Sequence, residues 1–395
     1  MRRIAASYLY TLVSPEPLRN AWVEYTDDGV IAGVGLCDDI SREGAFIDGA
    51  VVPGFVNAHC HVELSYMWKL FRRGTGMAGF IDQINELWDT KPLEEKIADI
   101  RFRMDRMWES GVSAMADISN CSDSFAIKAS SPMYTRTFLE VFGTERKDCP
   151  SIISDVLKLK EEAESFGLDA APTPHACYTM SPELVTASSA EGLKSGFLSY
   201  HSEETPEEEE MLVSGSGPMY ENRVRAGMST PPVTGKSSLL YFIERLLQVH
   251  PAPFNEHILL VHEVCMDQEG IDAVKEVMEN PFIALCPRSN IYIHDALPPV
   301  DLMRRSGIRL AVGTDSLSSN DDLDMVSELF CLQENFPHIP VGELFTWACL
   351  GGAAFLGKEG ILGTVEAGKR PGLVAVDHIG PDGRLTTASR SYRIV

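Results

Sequence analysis

The chain has 395 residues, with 34 basic against 57 acidic side chains and a net charge of −23. This charge repels phosphate backbones and anionic lipid headgroups, so we expect neither nucleic acid nor a membrane as a partner. The nine cysteines include no C-x-x-C pair, which indicates reduced thiols in a cytoplasmic protein. Because no run of about 18 apolar residues occurs, we predict no membrane-spanning helix.

Both ends of the chain are rich in predicted strands. Short apolar stretches alternate with turn signals such as Asp27-Asp28-Gly29 near the start and Asp382-Gly383 near the end. The predicted strands are Ile4–Leu12, Ala21–Tyr25, Val30–Val34 and Leu373–Val376. We therefore predict that residues 1–50 and 358–395 together form one small β-sandwich domain.

The middle of the chain, residues 51–357, alternates strands and helices. The predicted strands are Val51–Ala58, Val112–Ile118, Tyr134–Phe142, Leu168–Thr173, Phe197–Tyr200, Ile258–Val261, Phe282–Leu285 and Arg309–Val312. The predicted helices are Glu94–Trp108, Ile152–Phe166, Pro182–Lys194, Ser237–Val249, Asp267–Met278 and Asp322–Phe336. Eight β/α steps in about 300 residues predict an α/β fold with a TIM-like (β/α)8 catalytic barrel. A doubly wound sheet is disfavoured because no Gly-rich dinucleotide loop follows a strand.

Polar residues follow the predicted barrel strands at the edge where barrels carry their chemistry. The first strand leads into His59 and His61, the fourth into His175, the fifth into His201, the sixth into His262 and the eighth into Asp315. In an extended strand, residues two apart point to the same side, so His59 and His61 can share one metal ion. This pattern predicts a metal-dependent hydrolase. We expect no functional role for the remaining histidines, which are His250, His257, His294, His338 and His378.

An acid lies close to the predicted site, in the sequence Ser202-Glu203-Glu204-Thr205. Both glutamates follow His201, and their spacing alone does not decide between them. Other catalytic motifs fail: Gly235-Lys236-Ser237 lacks the first glycine of a phosphate loop. The H-x-E pairs at His61 and His201 lack the P-C-x-x-C of the nucleoside deaminase zinc motif.

Taken together, these segments resemble the amidohydrolase superfamily, in its metal-dependent deaminase and chlorohydrolase branch. The similar segments are Pro53-Gly54-Phe55-Val56-Asn57-Ala58-His59-Cys60-His61, Pro174-His175-Ala176-Cys177-Tyr178, His201-Ser202-Glu203-Glu204, Val261-His262, Cys286-Pro287-Arg288-Ser289-Asn290, Gly313-Thr314-Asp315-Ser316 and Leu362-Gly363-Thr364-Val365-Glu366-Ala367-Gly368-Lys369. They occur in the order of the family and run almost from end to end. Within the branch, the chain is similar to aminodeoxyfutalosine deaminases and to S-adenosylhomocysteine and methylthioadenosine deaminases.

The resemblance implies a ligand set and the roles of several residues. His59, His61, His201 and Asp315 would bind one divalent metal ion, zinc or alternatively iron. Glu204 would be the proton shuttle, His262 would orient the attacking hydroxide, Asp315 would also take its proton, and His175 would contact the substrate. Binuclear relatives use a carboxylated lysine at the end of the fourth strand; residues 168–178 contain no lysine, which favours a single metal.

The resemblance further implies hydrolytic deamination of an aminated purine-like nucleoside or a related heterocycle, of the 6-aminodeoxyfutalosine or adenosine-derivative type. Glu63 lies on the face of His59 and His61 if the strand continues, and it then binds a ribose hydroxyl or forms a structural salt bridge. Residues 79–88 are a candidate lid, and the loop 214–236, with Arg223 and Arg225, is a candidate wall.

Two alternatives stay open from the sequence. One is a hydrolase of the same superfamily that removes chloride, or an acyl or amidine group. The other is a non-catalytic metal-binding barrel. The sequence also leaves a homodimer open.

Overall fold

The computed structural model describes residues 1–37, 45–88, 90–380 and 382–395, so parts of the predicted terminal domain lie outside the described residues. Its strands are β1 Arg2–Leu9, β2 Leu18–Tyr25, β3 Ile31–Leu36, β4 Ala45–Pro53, β5 Phe55–Cys60, β6 Val112–Ser119, β7 Tyr134–Val141, β8 Asp169–Pro174, β9 Phe197–Ser202, β10 Phe254–His262, β11 Met278–Leu285, β12 Arg309–Val312, β13 Leu373–Asp377 and β14 Arg390–Arg393. The mixed α/β class predicted from the sequence is confirmed.

Helices occupy most of the segments between the strands from β5 to β12, and further helices follow β12. They are α1 Gly76–Leu87, α2 Leu93–Glu109, α3 Phe125–Ser130, α4 Cys149–Ser165, α5 Pro182–Leu193, α6 Pro206–Ser214, α7 Gly217–Ala226, α8 Ser238–Leu246, α9 Gln268–Val277, α10 Pro287–His294, α11 Val300–Ser306, α12 Met325–Asn335, α13 Val341–Thr346 and α14 Gly352–Phe355. Three short 3-10 helices, Val62–Met67, Arg146–Asp148 and Cys177–Thr179, and a π-helical turn, Trp347–Gly351, complete the described elements. None of the described helices has the length and apolar character needed to cross a membrane.

The two ends of the chain form one six-stranded sheet in the order β14-β13-β4-β1-β2-β3. β1 pairs with β2 antiparallel and with β4 parallel, and β13 brings the C-terminal end against β4. Its buried apolar side chains, such as Leu9, Val23, Val51 and Leu373, form a separate cluster. The termini therefore share one core, as strand-rich ends of similar texture predict.

The strands that carry the predicted site form two four-stranded parallel sheets, β5-β6-β7-β8 and β12-β11-β10-β9. All six residues of β5 are buried, as expected for a strand covered on both faces. At one junction of the sheets, Cys60 and Asp315 form an isolated parallel bridge. At the other, the His201 N–H donates to the carbonyl of His175 at 3.0 Å. The carboxyl ends of the strands therefore meet around one space.

Helix α8 shows how an apolar face and a capping residue in the sequence determine a helix. In α8, Leu239, Phe242, Ile243 and Leu246 are buried, and their spacing places them on one side of the helix. The Ser237 hydroxyl accepts the Leu240 N–H, which satisfies one of the free amides at the helix start.

Three predictions about local structure are wrong. The strand predicted at Val51–Ala58 is two strands, because the chain passes from the terminal sheet to the parallel sheet at Gly54. The segment 214–236, predicted as a loop, contains the ten-residue helix α7. The strand does not continue to Glu63, because β5 ends at Cys60 and the 3-10 helix Val62–Met67 follows.

A buried ion pair holds the chain just after the two first-strand histidines. Lys128 Nζ lies 2.5 Å from Asp117 Oδ2, and both side chains are fully buried. The other oxygen of Asp117 accepts the Val62 N–H at 2.9 Å. The pair therefore connects α3 to the turn that follows His61.

Replacing Lys128 with Met should destabilise the protein strongly, because Asp117 would be left as a buried, unpaired carboxylate. Loss of one partner of a buried pair typically lowers the free energy of unfolding by about 3–5 kcal/mol. Urea unfolding followed by circular dichroism measures the effect. The control is Lys158→Met, which removes an ion pair to Asp155 whose two side chains are each 71% exposed, and it should leave the unfolding midpoint nearly unchanged. Equal midpoints for the Lys128→Met and wild-type proteins would contradict the structural role of the pair.

Candidate metal centre and active site

A cavity of about 360 Å³ opens at the carboxyl ends of the parallel strands. Its polar lining includes the following side chains from the strand ends and the turns after them: His61, Asn120, Glu140, His175, Thr179, His201, Glu204, His262 and Asp315. Its apolar wall comes mainly from α1 and its flanks, with Met77, Phe80, Ile81, Ile84 and Trp88. The predicted lid segment 79–88 therefore lines the cavity.

Three imidazoles converge at the base of the cavity. The Nε2 atom of His59 lies 3.1 Å from Nε2 of His61 and 3.1 Å from Nε2 of His201, and the remaining pair is 3.3 Å apart. Burial lowers the pKa of all three below the ordinary value, and repulsion between the rings adds to the effect for His59 and His201. The rings are therefore neutral near pH 7, the state in which imidazole binds metals.

Asp315 completes the group of donors. Its Oδ1 lies 3.5 Å from Nε2 of His61 and 3.7 Å from Nε2 of His59, while its Oδ2 accepts hydrogen bonds from Ser289 at 2.5 Å and Ser319 at 2.8 Å. Burial alone would raise the pKa of Asp315, but the surrounding imidazoles and the Ser289 hydroxyl hold it below its ordinary value. Three imidazole nitrogens and one carboxylate oxygen fit a divalent ion such as zinc.

The approach of β12 to β5 places Asp315 beside the histidines. The N–H groups of Thr314 and Asp315 both donate to the carbonyl of His59 at 3.0 Å. A Cβ atom on Gly313 would lie 2.7 Å from that carbonyl oxygen, so the residue before this pair has to be glycine for the strands to come so close. The Asn57 side chain also bonds to Thr314, through both its oxygen and its nitrogen.

Glu204 lines the cavity and Glu203 does not. One Glu204 oxygen lies 3.5 Å from His262 Nε2, and the other accepts the Tyr178 hydroxyl at 3.3 Å. Burial raises the pKa of Glu204 well above its ordinary value, and the negative charges of Asp315 and Glu208 add to this. Glu203 is also buried, but it interacts with Glu263 and Ser237 instead. The spacing in the sequence does not decide between the two glutamates, whereas the structure places only Glu204 in the cavity.

His262 is the last residue of β10, and a hydrogen bond defines its tautomer. Its Nδ1 faces the side-chain nitrogen of Asn290 at 3.1 Å. An amide N–H donates to a ring nitrogen without a proton, so the proton lies on Nε2, which points toward Glu204. Burial lowers the pKa of His262 to about 4. A neutral ring with an Nε2–H therefore faces the cavity beside the acid.

His175 and Glu140 lie on the other side of His201. Glu140 Oε1 is 3.4 Å from His201 Nδ1 and 4.0 Å from His175 Nε2. These three residues also hold donor atoms close enough for a metal ion, but His201 Nδ1 faces the carbonyl of His175 at 3.3 Å. A ring nitrogen that faces a carbonyl carries the proton and cannot bind a metal, so the group lacks its third ligand.

Glu63 lies outside the cavity lining. Both of its oxygens accept the backbone N–H of Asn120, at 2.9 and 3.0 Å, and the Cys121 thiol donates to one of them. Burial raises the pKa of Glu63 to about 7. The expected position beside the two histidines is wrong, because the chain turns into a 3-10 helix after His61. Glu63 instead fixes the turn that presents Asn120 to the cavity.

Sequence reasoning missed several polar residues of the cavity, two of them at strand ends. Asn120 follows β6 directly after its last residue, and Glu140 is the penultimate residue of β7. The same strand-end criterion that selects the histidines would have found both, had it been applied to the second and third strands. None of the five histidines set aside lines the cavity among the described residues.

A second cavity of about 490 Å³ adjoins the first and shares Ile81, Asn85, Phe142, Tyr178 and Thr179 with it. Its other lining residues include Met211, Met219, Arg223 and Met228. The predicted wall at 214–236 therefore borders this second cavity, with Arg223 buried and Arg225 exposed.

Comparisons with known proteins bear on the resemblance. A 5-methylthioadenosine/S-adenosylhomocysteine deaminase of Moorella thermoacetica is 28% identical over 84% of this chain and 74% of that one. An aminodeoxyfutalosine deaminase of a Nitratiruptor species is 27% identical over 83% of this chain and 78% of that one. The chain also matches the crystal structure of Helicobacter pylori aminofutalosine deaminase in complex with methylthio-coformycin. The match covers 100% of both chains, with 21% identity and a TM-score of 0.78, and it shows a similar fold.

The model of the amidohydrolase family matches residues 50–394, which is most of the chain. This match includes every strand from β5 to β12 and every residue of the group around His59, His61 and His201. It confirms the resemblance inferred from the sequence segments. The chain belongs to the amidohydrolase family and is a hydrolase of carbon–nitrogen bonds other than peptide bonds.

Proposed function

We propose that the protein is a mononuclear metal-dependent deaminase of an aminated purine-like nucleoside, of the 6-aminodeoxyfutalosine or adenosine-derivative type. One observation carries the proposal: the acid Glu204 and the neutral Nε2–H of His262 lie 3.5 Å apart beside the group of His59, His61, His201 and Asp315. Deamination needs an activated water together with a group that protonates the ring nitrogen. Both are supplied within one cavity.

His59, His61, His201 and Asp315 would hold the metal, and their donor set favours zinc over iron. A divalent ion bound there lowers the pKa of a water enough to supply hydroxide near neutral pH. The ion pair of Lys128 with Asp117 and the contacts of Asp315 with Ser289 and Ser319 keep the donors in place. Outer contacts of this kind orient metal-binding side chains.

The side chains around the donors then carry the protons. Glu204 would give a proton to the ring nitrogen adjacent to the carbon that bears the amine, and the next water would restore it. His262 would hold the attacking oxygen through its Nε2–H. Asp315 would accept the hydroxyl proton and pass it to the amine. Ammonia leaves, and the ring carbon becomes a carbonyl beside a protonated nitrogen.

The size and character of the cavity favour a nucleoside over a free base. The main cavity, about 360 Å³, continues past Phe142 and Tyr178 into the second, about 490 Å³. A purine fills the apolar space beside α1 and leaves room for a sugar and a substituent on it. The two sequence relatives, a methylthioadenosine/S-adenosylhomocysteine deaminase and an aminodeoxyfutalosine deaminase, point the same way.

We also propose that the two four-stranded parallel sheets close into a (β/α)8 barrel over residues 51–357. The Cys60–Asp315 bridge and the His201–His175 backbone hydrogen bond support closure at both junctions. Residues 1–50 and 358–395 would then be a separate small β-sandwich domain, built on the six-stranded sheet.

A panel of amines tests the activity. The zinc-loaded protein should release ammonia from 6-aminodeoxyfutalosine, methylthioadenosine, S-adenosylhomocysteine or adenosine, faster than from guanine or cytosine. Ammonia is measured with a coupled glutamate dehydrogenase assay, and chloride and carboxylate release from matched substrates are measured in parallel. Release of chloride or carboxylate without ammonia would contradict the deaminase proposal and support the alternative hydrolase of the same superfamily. No release at all would favour the non-catalytic barrel.

Replacing Glu204 with Gln should lower kcat about 10²–10⁴-fold, because the amide cannot shuttle a proton. The metal content should stay unchanged, since Glu204 is outside the donor group. The matched control is Glu203→Gln, an equally buried neighbour that does not reach the cavity, and it should keep kcat within a few-fold of the wild type. A Glu204→Gln protein with wild-type turnover would rule out the proton shuttle.

Removing one imidazole should remove the metal. The His61→Ala protein should retain much less than one divalent ion per chain after dialysis, measured by plasma mass spectrometry, whereas wild type should retain one. The control is His338→Ala, whose ring is exposed and bonded to Asp301. Full metal content in the His61→Ala protein would contradict the ligand assignment.

A further inference from the structure

Glu140 presents an unused acceptor to the cavity. Its carboxyl group stands at the end of β7 with a side chain that is 3% exposed. One oxygen accepts the side-chain N–H of Asn120 at 3.1 Å. The other, Oε1, is buried without a hydrogen-bond partner, although Glu140 lines the cavity.

The neighbouring nitrogen of His175 is also an acceptor. The Thr179 hydroxyl donates its proton to the carbonyl of Ala176 at 3.1 Å. It therefore accepts from His175 Nδ1, which lies 2.7 Å away. With its single proton on Nδ1, the neutral ring leaves Nε2 bare. Nε2 lies 4.0 Å from Oε1 of Glu140.

The two acceptors lie side by side at the cavity wall, and Glu140 Oε1 is buried. A buried carboxylate oxygen without a donor is unfavourable. The nearest protein donor, His201 Nδ1, directs its proton toward the carbonyl of His175. The partner of this pair therefore has to enter from the cavity.

We propose that Glu140 and His175 form a two-acceptor subsite that binds a pair of hydroxyl groups on adjacent carbons of the substrate sugar, so that Glu140 selects nucleosides over free bases. This inference rests on the proposed function, which it deepens. Adjacent hydroxyls match two acceptors 4.0 Å apart, because each hydroxyl donates to one of them.

The position of the subsite agrees with this assignment. Glu204 follows β9 and His262 ends β10, and both act on the ring. Glu140 is the penultimate residue of β7, and His175 follows β8. The two pairs lie on opposite sides of His201, whose ring is 4.7 Å from that of His175 and 5.6 Å from that of His262. A nucleoside likewise carries its sugar away from the reacting amine, and here the sugar would point toward Phe142 and the second cavity.

The test compares a nucleoside with its deoxy counterparts. For wild type, adenosine should exceed 2′-deoxyadenosine and 3′-deoxyadenosine in kcat/KM by about 10- to 100-fold, because each deoxy substrate leaves one acceptor without a donor. For Glu140→Ala, the effect of the hydroxyl that Glu140 binds should fall to within about threefold, while the effect of the hydroxyl that His175 binds should persist. Metal content should not change.

Two further variants keep the result interpretable. Glu140→Gln retains an acceptor oxygen and the shape of the side chain, so the hydroxyl effect should fall several-fold even if Glu140→Ala does not fold. Glu161→Gln, an exposed carboxylate on α4, should leave all values unchanged. An equal loss for adenosine and both deoxy substrates, or both hydroxyl effects persisting unchanged in both Glu140 variants, would overturn the subsite.

A binding measurement separates this inference from the proposed function. The Kd values of the three nucleosides for the Glu204→Gln protein, measured by calorimetry, need no turnover. If wild type releases no ammonia and these Kd values still show the hydroxyl effect, the proposed function fails and the subsite stands. If wild type is active and the Kd values are equal for all three, the subsite fails alone.

Discussion

The site depends on the approach of three neutral imidazoles to one point. His59, His61 and His201 bring their Nε2 atoms within 3.3 Å of one another, and no such nitrogen can donate to both of the others. Lone pairs held so close repel unless a cation lies between them. The fold supplies the constraint from two strands: β5 places two of the rings, β9 places the third, and the backbone of Thr314 and Asp315 locks β12 onto His59. These backbone contacts therefore fix where the donor atoms meet.

Around that group the strand ends divide into two halves. From β9 to β12 come the acid Glu204, the oriented ring of His262 and the carboxylate Asp315, to which the proposed mechanism assigns proton transfer. From β6 to β8 come Asn120, Glu140 and His175. These residues offer hydrogen bonds, and the proposed mechanism gives them no part in proton transfer. His201 lies between them. The proposed chemistry and the proposed recognition are therefore carried by different strands, which lets one change without the other.

The sequence predicts the fold class and most of the strand-end residues, because alternating apolar runs and their polar ends are local signals. It does not predict Glu63 correctly, since the turn of the chain into a 3-10 helix depends on the Asp117 carboxylate and the Asn120 backbone, which are more than fifty residues away. Helix α7 is missed for another reason: glycines and a proline mask its periodicity. Gly227, in a left-handed conformation, ends α7, and Gly215, also left-handed, ends the preceding helix α6. Tautomers such as that of His175 follow from contacts and cannot be read from a sequence.

Asp117 and the cavity carboxyl groups of Glu140 and Glu204 are buried in different ways. Asp117 is fully buried and neutralised by Lys128 at 2.5 Å, with its second oxygen on a backbone N–H. Glu140 and Glu204 are nearly as buried, but the side chains within reach are imidazoles, an amide and a tyrosine hydroxyl, and the pKa of each carboxyl rises because water is excluded. A carboxyl group kept in this state costs stability. Such a carboxyl group at the end of a strand is explained if the substrate supplies its hydrogen-bond partner, either a ring nitrogen or a hydroxyl. Binding of the substrate would then stabilise the folded protein as well.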